Sequence, residues 1–382
     1  MRLFDERSGT LRDVEVRQEM GVYVCGITPY DAAHLGHAFT YVHFDVLVRY
    51  LRHLGTEVTH VQNVTDVDDD MLRVAQERGV DYLELAEREV ASFERAMEAI
   101  GVAPPTHSPR ATQFVAEMIE AVEALVEAGH GYERNGTVYF RVASDPGYGR
   151  LSGLTREQML PLAAERGGHP EDPNKDDPLD FVLWQRSAPA EPWWESPWSR
   201  GRPGWHIECS TMSRGLLGKP VDVHGGGSDL IYPHHESELA QAEGVPGGKP
   251  FVLHWMHTGT VHMAGDKMSK SLGNLAFVND LLERHPPGAL RSFLLRRHYR
   301  KDWEFREEDL ELEGLGGTSL DVGDGQASFD PAADREAFYR ALDTDLDTPQ
   351  AMRILDRVAS SSEPAAKELL EDGKEILGLQ NV

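Results

Sequence analysis

The sequence predicts an α/β fold built on a parallel sheet. Short apolar runs rich in β-branched and aromatic residues predict strands, and the segments between them have the spacing of amphipathic helices. Strands that alternate with helices are typical of a parallel sheet covered by helices. The chain has 382 residues, 40% of them hydrophobic, which is enough apolar content for a sizeable core.

Four apolar runs predict the strands of this sheet, and the helix after the first of them is the clearest helical pattern. That helix covers residues 37–55 and ends at Gly55, a residue suited to a helix C-terminus. Its predicted core face carries Phe44, Leu47, Val48 and Leu51. The predicted strands are "GVYVCGIT" (21–28), "EVTHVQNVT" (57–65), "VDVHGGG" (221–227) and "FVLHWMHTG" (251–259).

The segment from 71 to 203 differs from its flanks and predicts an insertion between two halves of the sheet. It begins with two amphipathic helical stretches, at 82–101 and 113–131, and "GTVYFRV" (136–142) predicts a strand. The remainder is rich in Pro, Trp and Gly. We therefore expect a catalytic domain in two halves (1–70 and 204–275), an inserted connective region (71–203), a helical region (276–312), a linker (313–331) and a short helical tail (332–382).

Composition narrows the possible functions. The formal net charge is −26, from 38 basic and 64 acidic side chains. This charge disfavours nucleic-acid binding, although it does not exclude it, because nucleic-acid binders usually present basic patches to phosphates. Neither a long apolar run nor the apolar stretch of a signal peptide is visible, so we expect a cytoplasmic protein without membrane contact. We also expect a monomer. The two cysteines are too few for a disulfide framework and are either buried thiols or metal ligands.

The stretch "HLGH" (34–37) is the first candidate for chemistry. It follows a predicted strand and begins a predicted helix, which is where open α/β sheets bind phosphates. His34 and His37 lie on one helix face and can donate hydrogen bonds to anionic oxygens. Taken alone, the pair is also compatible with two ordinary surface or core histidines.

The stretch "KMSKS" (267–271) is the second candidate. Lys267 and Lys270 flank a Met-Ser pair in a short polar segment. Such a loop suits closure over a triphosphate, where positive charge stabilises the leaving pyrophosphate. An exposed basic turn would explain the stretch as well, but five residues in this order, downstream of "HLGH", are improbable by chance.

Together the two stretches resemble the signature pair of class I aminoacyl-tRNA synthetases and their relatives. The cysteine-activating branch is indicated by "NVTDVDD" (63–69), "GWHIECS" (204–210) and "HGGGSDLIYPHHESELAQAE" (224–243). The resemblance covers about residues 1–310. It implies a Rossmann-like catalytic domain with an inserted connective domain and a helical C-terminal piece.

The branch contains two kinds of enzyme. One is cysteinyl-tRNA synthetase, and the other is the mycothiol ligase, which joins cysteine to the amine of a glucosaminyl-inositol. Glu238 follows the synthetase pattern, whereas the tail is shorter than the usual anticodon-binding module. The stretches that resemble the ligase are "GITPYDAAHLGH" (26–37), "ERGGHP" (165–170, with His169 in place of an aspartate), "NLAFV" (274–278) and "HYRKDWEF" (298–305).

The resemblance also implies a zinc site with one ion per chain. Its predicted ligands are Cys25, Cys209, His234 and Glu238, and zinc prefers cysteine sulfur and histidine nitrogen. His234 and Glu238, four residues apart, share one face of a predicted helix. Without the surrounding motifs, both cysteines would be taken for inert buried thiols. Glu238 either ligates zinc or contacts the residues that do.

A further set of positions matches those that contact the cysteinyl-adenylate in the ligase family. The glycines at 225–227 would allow close backbone approach to the nucleotide. Trp205 would form an apolar wall, although ordinary core packing explains it nearly as well. The implied contact residues are Cys25, Gly26, Ile27, Thr28, Thr40, Asn63, Val64, Thr65, Trp205, Gly227, Ser228, Asp229, Val261, Lys267, Met268, Ser269, Lys270 and Ser271.

The implied reaction has two steps. The carboxylate of L-cysteine attacks ATP, with Mg²⁺ expected, to give cysteinyl-adenylate and pyrophosphate; the amine of a small amino-glycoside then displaces AMP. The catalytic residues would be His34, His37, Lys267 and Lys270, which stabilise phosphate charge. One alternative is a compact cysteinyl-tRNA synthetase, whose partner would be tRNA. Another is an idle paralogue that acts as a binding or regulatory protein.

Overall fold

The structure is a computed structural model that describes residues 1–218, 220–245, 247–268, 273–315, 330–359 and 361–380, with backbone alone at 312–315. The strands are β1 Arg2–Asp5, β2 Thr10–Asp13, β3 Glu19–Ile27, β4 Glu57–Val64, β5 Gly131–Arg134, β6 Thr137–Phe140, β7 Phe181–Arg186, β8 Gly201–Pro203, β9 Val221–Gly227, β10 Val252–Thr258, β11 Val261–Met263, β12 Asp266–Lys267 and β13 Trp303–Glu304.

The helices connect these strands and form most of the C-terminal third. Within the described ranges, no helix has the length and apolar character that crossing a membrane requires. The helices are α1 Leu35–His53, α2 Asp69–Arg78, α3 Tyr82–Ala99, α4 Val115–Glu127, α5 Arg156–Glu165, α6 Trp205–Leu217, α7 Glu236–Gly244, α8 Val278–Leu282, α9 Pro287–Leu295, α10 Glu307–Leu315, α11 Pro331–Asp343, α12 Thr348–Ala359 and α13 Pro364–Ile376.

The predicted catalytic domain contains a four-stranded parallel sheet in the order β10-β9-β3-β4. Tyr23 of β3 lies opposite Val61 of β4 on one side and His224 of β9 on the other. Each predicted strand is present within two residues of its expected bounds, and the α/β class with a parallel sheet is confirmed. Because the strands are parallel, their carboxyl ends meet at one edge, where ligands bind in such sheets.

Helix α1 is buried more completely than its sequence pattern predicts. The four residues of its predicted core face are buried, but so are Tyr41, His43 and Asp45, which point in other directions. The helix contacts the sheet and is also contacted by α9 and α13. It is capped at Leu54, and Gly55 follows with a positive φ of 90°, a conformation that favours glycine.

The predicted inserted region contains its own antiparallel sheet, in the order β5-β6-β7-β8. The two predicted helical stretches are α3 and α4, and the predicted strand is β6. Short bridges join His107 to Val61 and Arg110 to Val64 of β4, so part of this region lies along the central sheet. The boundary at residue 71 falls inside α2 and remains a prediction.

The three C-terminal helices pack on the catalytic part. Phe338, Leu342 and Leu355 belong to the same buried cluster as Leu47 and Leu51 of α1. The predicted linker at 313–331 lies mostly outside the described residues. The tail therefore contributes to the core that supports α1, and α1 begins at the "HLGH" stretch.

The buried guanidinium of Arg291 joins four parts of this core. It contacts Asp45 Oδ2 at 2.5 Å and donates to the carbonyls of Leu377 (2.6 Å) and Ile100 (3.0 Å). We expect Arg291→Met to lower the free energy of unfolding by about 2–4 kcal/mol, because two carbonyls lose their donor and Asp45 loses one of the two guanidinium groups that contact its Oδ2, keeping Arg49 and the N–H of Ala103. Urea denaturation would measure the change.

The matched control is Arg284→Met, which removes an exposed guanidinium paired with Glu307 at 2.8 Å. Such surface pairs contribute at most about 1 kcal/mol. Equal stability losses in the two variants would contradict a central role for Arg291.

Candidate active site

The "HLGH" stretch caps α1 with its own imidazoles. His34 Nδ1 accepts a hydrogen bond from the His37 N–H, and His37 Nδ1 accepts one from the His34 N–H, both at 3.4 Å. The two rings stack with centroids 3.7 Å apart. Between them, a Cβ at Gly36 would lie 3.0 Å from the His34 ring. Both histidines thus stand at a helix N-terminus, which favours anionic groups.

Two glycines allow the strand ends to approach each other closely. A Cβ on Gly26 would lie 1.5 Å from the Asn63 carbonyl oxygen, and one on Gly225 would lie 1.7 Å from the Met256 carbonyl oxygen. The Gly26 N–H also donates to Asn63 Oδ1 at 2.8 Å. For Gly225 the neighbour that requires glycine is therefore the backbone of β10, and the expected reason, room for a nucleotide, is not needed at that position.

The residues predicted to contact the adenylate lie at the carboxyl edge of the sheet. Cys25–Thr28 and Asn63–Thr65 span the ends of β3 and β4, Gly227–Asp229 begin with the last residue of β9, and Val261 begins β11. Thr40, in α1, faces this edge through its hydroxyl contact with the last residue of β10, Thr258, at 2.7 Å. The sheet topology thus brings these segments together, and their contact with an adenylate remains a prediction.

The two buried polar side chains at the end of β4 have protein partners. The Thr65 hydroxyl donates to Glu208 Oε2 at 2.8 Å and accepts from Asn63 Nδ2 at 3.3 Å. Burial raises the pKa of the Glu208 carboxyl well above its ordinary range, although its hydrogen bond with Thr65 opposes this. These contacts fix the end of β4 beside α6, the helix that carries Cys209.

The described part of the "KMSKS" stretch is tied to the residues that follow β9. Lys267 Nζ lies 3.0 Å from Asp229 Oδ2 in a half-exposed ion pair. Met268 is buried, and its N–H donates to the Val261 carbonyl at 3.0 Å. Ser269, Lys270 and Ser271 lie outside the described residues, so their predicted roles remain predictions.

A compact group of side chains that could hold a metal ion lies beside the carboxyl edge of the sheet. The ligand atoms of Cys25, His234, His235 and Glu238 all lie within 4.8 Å of one another, and all four residues are buried. Glu238 Oε1 is 3.1 Å from His234 Nε2 and 3.5 Å from Cys25 Sγ. Ligand atoms around one zinc ion are roughly 3–4 Å apart, because each lies about 2.0–2.3 Å from the metal. The group therefore has the dimensions of a single metal site.

Three of the four predicted zinc ligands belong to this group, and the fourth lies next to it. Cys209 is not among the four, but it is buried against Cys25. Burial raises the pKa of the Cys25 thiol, and the hydrogen bond with Cys209 raises it further. His235 belongs to the group, with Nε2 3.2 Å from Cys25 Sγ, although the sequence did not single it out. Cys209 and His235 are thus rival candidates for the fourth ligand.

The donor atoms fit zinc. Burial lowers the pKa of His234 and His235 well below the ordinary value, so both imidazoles are neutral and able to ligate a metal. Glu238 Oε2 is buried 3.3 Å from His224 Nε2 and makes no hydrogen bond within the described residues, a costly arrangement that a bound cation would relieve. Sulfur, imidazole and carboxylate in one buried group are the ligands that zinc takes in proteins.

Aromatic and imidazole rings hold the candidate ligands in place. Trp205 stacks on the His234 ring with centroids 4.3 Å apart. His206 Nδ1 lies 3.0 Å from His234 Nδ1, and His257 Nε2 lies 2.7 Å from His235 Nδ1. Such contacts orient ligating histidines and fix which ring nitrogen faces the metal. Trp205, predicted as an apolar wall, thus packs directly on a candidate ligand.

The loop at 165–170, which resembles a ligase motif, contacts through Arg166 the carboxyl edge of the sheet where the adenylate is predicted to bind, called here the adenylate edge. Its guanidinium donates to the backbone carbonyls of Asp229 and Tyr232. Gly167 and His169 both have positive φ, at 75° and 44°. The His169 side chain is 70% exposed, so the departure from the ligase family's aspartate falls on a position that faces solvent.

The fold and the site can be compared with known proteins. The family described as "tRNA synthetases class I (C) catalytic domain" matches residues 12–313. The chain belongs to this family. The match includes the sheet, the inserted region and every residue of the candidate metal group.

Two curated relatives of the class I (C) family are close in sequence. The L-cysteine:1D-myo-inositol 2-amino-2-deoxy-alpha-D-glucopyranoside ligase of Thermomonospora curvata is 46% identical over 370 residues, which are 96% of this chain and 89% of that protein. The cysteine–tRNA ligase of Dehalococcoides mccartyi is 41% identical over 398 residues, 99% of this chain and 86% of that protein. Both relatives are ligases by name, and their identities to this chain are similar.

A solved structure confirms the fold of this class I chain. The methionyl-tRNA synthetase of Mycobacterium tuberculosis, in complex with methionyl-adenylate, superimposes with a TM-score of 0.66 at 16% identity, covering 94% of this chain and 89% of that one. At this identity the likeness concerns the fold alone. The expected class I synthetase architecture is therefore present.

Sequence reasoning missed several buried polar residues of the site. His235 contacts Cys25, and His257 contacts His235. His224 Nε2 lies 3.7 Å from Cys25 Sγ, and Glu208 accepts a hydrogen bond from Thr65. One signal was available, since six of the 17 histidines fall between residues 206 and 257. Glu208 had no such signal, because its role depends on the packing of α6 against β4.

Proposed function

We propose that this protein activates L-cysteine with ATP and joins it to the amine of a glucosaminyl-inositol, releasing AMP and pyrophosphate. The observation that carries this proposal is the buried group of thiol, imidazole and carboxylate at the carboxyl edge that also holds the "HLGH" histidines and Lys267. A site with a thiol-binding metal beside a phosphate-binding helix suits the activation of cysteine. The protein is accordingly an enzyme of the ligase class.

The first step needs stabilisation of phosphate charge. His34 and His37, at the N-terminus of α1, are placed to donate to the phosphates of ATP. Lys267 stands at the same edge through its contact with Asp229. With Mg²⁺, these groups would stabilise pyrophosphate as the cysteine carboxylate attacks the α-phosphate.

Selection of cysteine is assigned to the metal group. Cys25, His234 and Glu238 would hold zinc together with Cys209 or His235. When bound, zinc would supply a position that takes a thiolate in preference to a hydroxyl. Cysteine and serine differ by sulfur against oxygen, which an apolar pocket discriminates poorly. A site of this kind makes separate editing unnecessary.

In the second step the amine, in its neutral form, attacks the activated carbonyl and AMP leaves. Three observations support an amino-glycoside as the acceptor. The Thermomonospora curvata relative is named for that reaction and is 46% identical. The loop at 165–170, which resembles a ligase motif, contacts the adenylate edge through Arg166. The net charge of −26 disfavours a polyanionic acceptor.

The second candidate function is that of a compact cysteinyl-tRNA synthetase. It is favoured by Glu238, which follows the synthetase pattern and lies in the metal group. Both functions share the first step, so cysteine-dependent exchange of pyrophosphate into ATP does not separate them. That exchange does separate both from an idle paralogue, which would show none.

The acceptor can be decided by offering glucosaminyl-inositol and cysteine tRNA in parallel to the same enzyme with ATP and cysteine. We expect AMP formation that depends on the glycoside, and little tRNA binding at moderate salt, because a strongly acidic chain offers few cation–phosphate contacts and salt screens those that form. Efficient charging of tRNA, with no turnover of the glycoside, would assign the synthetase function instead.

A further inference from the structure

A cavity of about 650 Å³ opens beside the candidate metal group. Trp205, His206 and Tyr232 form one wall, and Trp205 is the residue that stacks on His234. Most of the loop from Arg166 to Lys175 also lines the cavity. The volume falls within the roughly 300–1,000 Å³ of small-molecule sites. A ligand in this cavity would lie next to the position expected for the cysteinyl group.

The charge of the cavity restricts what it can bind. Six carboxyl side chains and four lysine or arginine side chains line it, so acidic groups outnumber cationic groups by two. A phosphate backbone needs a surface with an excess of cations. A ligand with one ammonium group and many hydroxyls matches the lining better, because carboxylates accept hydrogen bonds from both while the cations donate to hydroxyl oxygens.

Two of the lining carboxylates retain hydrogen-bonding capacity. Asp68 caps α2 by accepting from the Met71 N–H through Oδ1 at 2.7 Å, and within the described residues its Oδ2 accepts no hydrogen bond. Glu191 accepts from the Ala188 N–H through Oε2 at 2.9 Å, and its Oε1 is likewise available. Both side chains line the cavity together with Arg202, whose Nε lies 3.9 Å from Glu191 Oε2.

The environment of Asp68 favours a cationic neighbour. Burial raises the pKa of its carboxyl to about 7, and the charges of Asp70 and Asp69 raise it further, while the Met71 N–H and Arg202 oppose the shift. An ammonium group placed beside Asp68 would stabilise the charged carboxylate and lower this pKa. The buried carboxyl is therefore suited to an amine that arrives as a cation.

We propose that this cavity is the acceptor site of the enzyme and takes a polyhydroxylated amine. Asp68 and Glu191 hold the ammonium end before attack, and the Arg202 side of the cavity donates to hydroxyls. The sugar ring lies against Trp205, whose apolar face suits the C–H surface of a sugar. This inference rests on the proposed function, since it names where the glycoside binds and how it is recognised.

The test uses Asp68→Asn and Glu191→Gln, which keep the shape of each side chain and remove its charge. Asparagine is also a good N-cap, so α2 keeps its start. We expect the KM for glucosaminyl-inositol, and its Kd by calorimetric titration, to rise by about 10- to 100-fold, the effect of losing a charged hydrogen bond. Cysteine-dependent pyrophosphate exchange, which needs no acceptor, should stay within about twofold of wild type and shows that the variants fold.

The matched control is Glu195→Gln, a change of the same kind outside the cavity lining, where the carboxylate pairs with Arg200 at 2.9 Å on the surface. It should leave glycoside affinity unchanged. Unchanged KM and Kd in both cavity variants, with normal glycoside turnover by the wild type, would overturn the cavity assignment and leave the proposed function standing. A wild type that neither binds nor turns over the glycoside would overturn both.

Discussion

Replacing Cys25 with serine should reduce bound zinc from about one ion per chain to nearly none. The Cys25 sulfur lies 3.2 Å from His235 Nε2 and 3.5 Å from Glu238 Oε1, so it is shared by both possible sets of four ligands. A hydroxyl is a far weaker zinc ligand than a thiolate. Metal content after dialysis, measured by elemental analysis, checks the first part of this prediction.

The same variant should lose its preference for cysteine over serine. We expect the ratio of cysteine- to serine-dependent pyrophosphate exchange to fall by at least about 100-fold, because the remaining pocket distinguishes sulfur from oxygen only weakly. Retention of the wild-type ratio in a zinc-free variant would show that selection does not depend on the metal.

The fourth ligand can be assigned with two further variants. The sequence predicts Cys209, so Cys209→Ser should also lose zinc, while His235→Asn should keep it and lose only part of its affinity. The reverse pattern would assign His235 as the ligand. If both Cys25→Ser and Cys209→Ser held zinc at full occupancy, the proposed zinc site would be wrong.

Replacing Lys270 with alanine should slow the formation of cysteinyl-adenylate by about ten- to a thousandfold, the usual range for one charge-stabilising group in a transition state. This prediction rests on the "KMSKS" motif, whose other lysine, Lys267, is tied to Asp229 at the adenylate edge. Cysteine binding should change little, because the lysine acts on the leaving pyrophosphate. Pyrophosphate exchange measures the rate, and titration with cysteine measures the affinity.

The matched control is Lys374→Ala, on the exposed face of α13. It removes the same charge from the chain far along the sequence from the motif, and it should exchange pyrophosphate at the wild-type rate. A Lys270→Ala enzyme that exchanges as fast as this control would exclude the lysine from the first step.

The sheet was predictable because parallel strands are buried on both faces and read as continuous apolar runs. The complete burial of α1 was not predictable in the same way. A helical pattern indicates one apolar face, whereas α1 is also covered by α9 and α13. Buried polar residues such as His43 and Asp45 cannot be recognised from apolar periodicity. Their burial depends on chain segments hundreds of residues away.

The candidate site likewise contains residues that the sequence predicted and residues that it did not. Cys25, His234 and Glu238 were predicted from motifs, and the structure brings them together. His235 and His257 were missed, because their contacts depend on how β10 and the segment after β9 are placed beside β3. A motif identifies residues within one segment, but the partners that surround a metal group come from the packing of several segments.

The strand order also has a consequence for how the chain is made. One edge of β3 pairs with β9, so that Val22 lies opposite Val223. At translation rates of about 5–20 residues per second, this edge of β3 stays unpaired for roughly 10–40 s, until β9 has been synthesised. An apolar strand with an open edge is a template for pairing with other chains. Slow synthesis, or a ribosome stalled before residue 221, should therefore make the nascent protein prone to aggregation and dependent on chaperones.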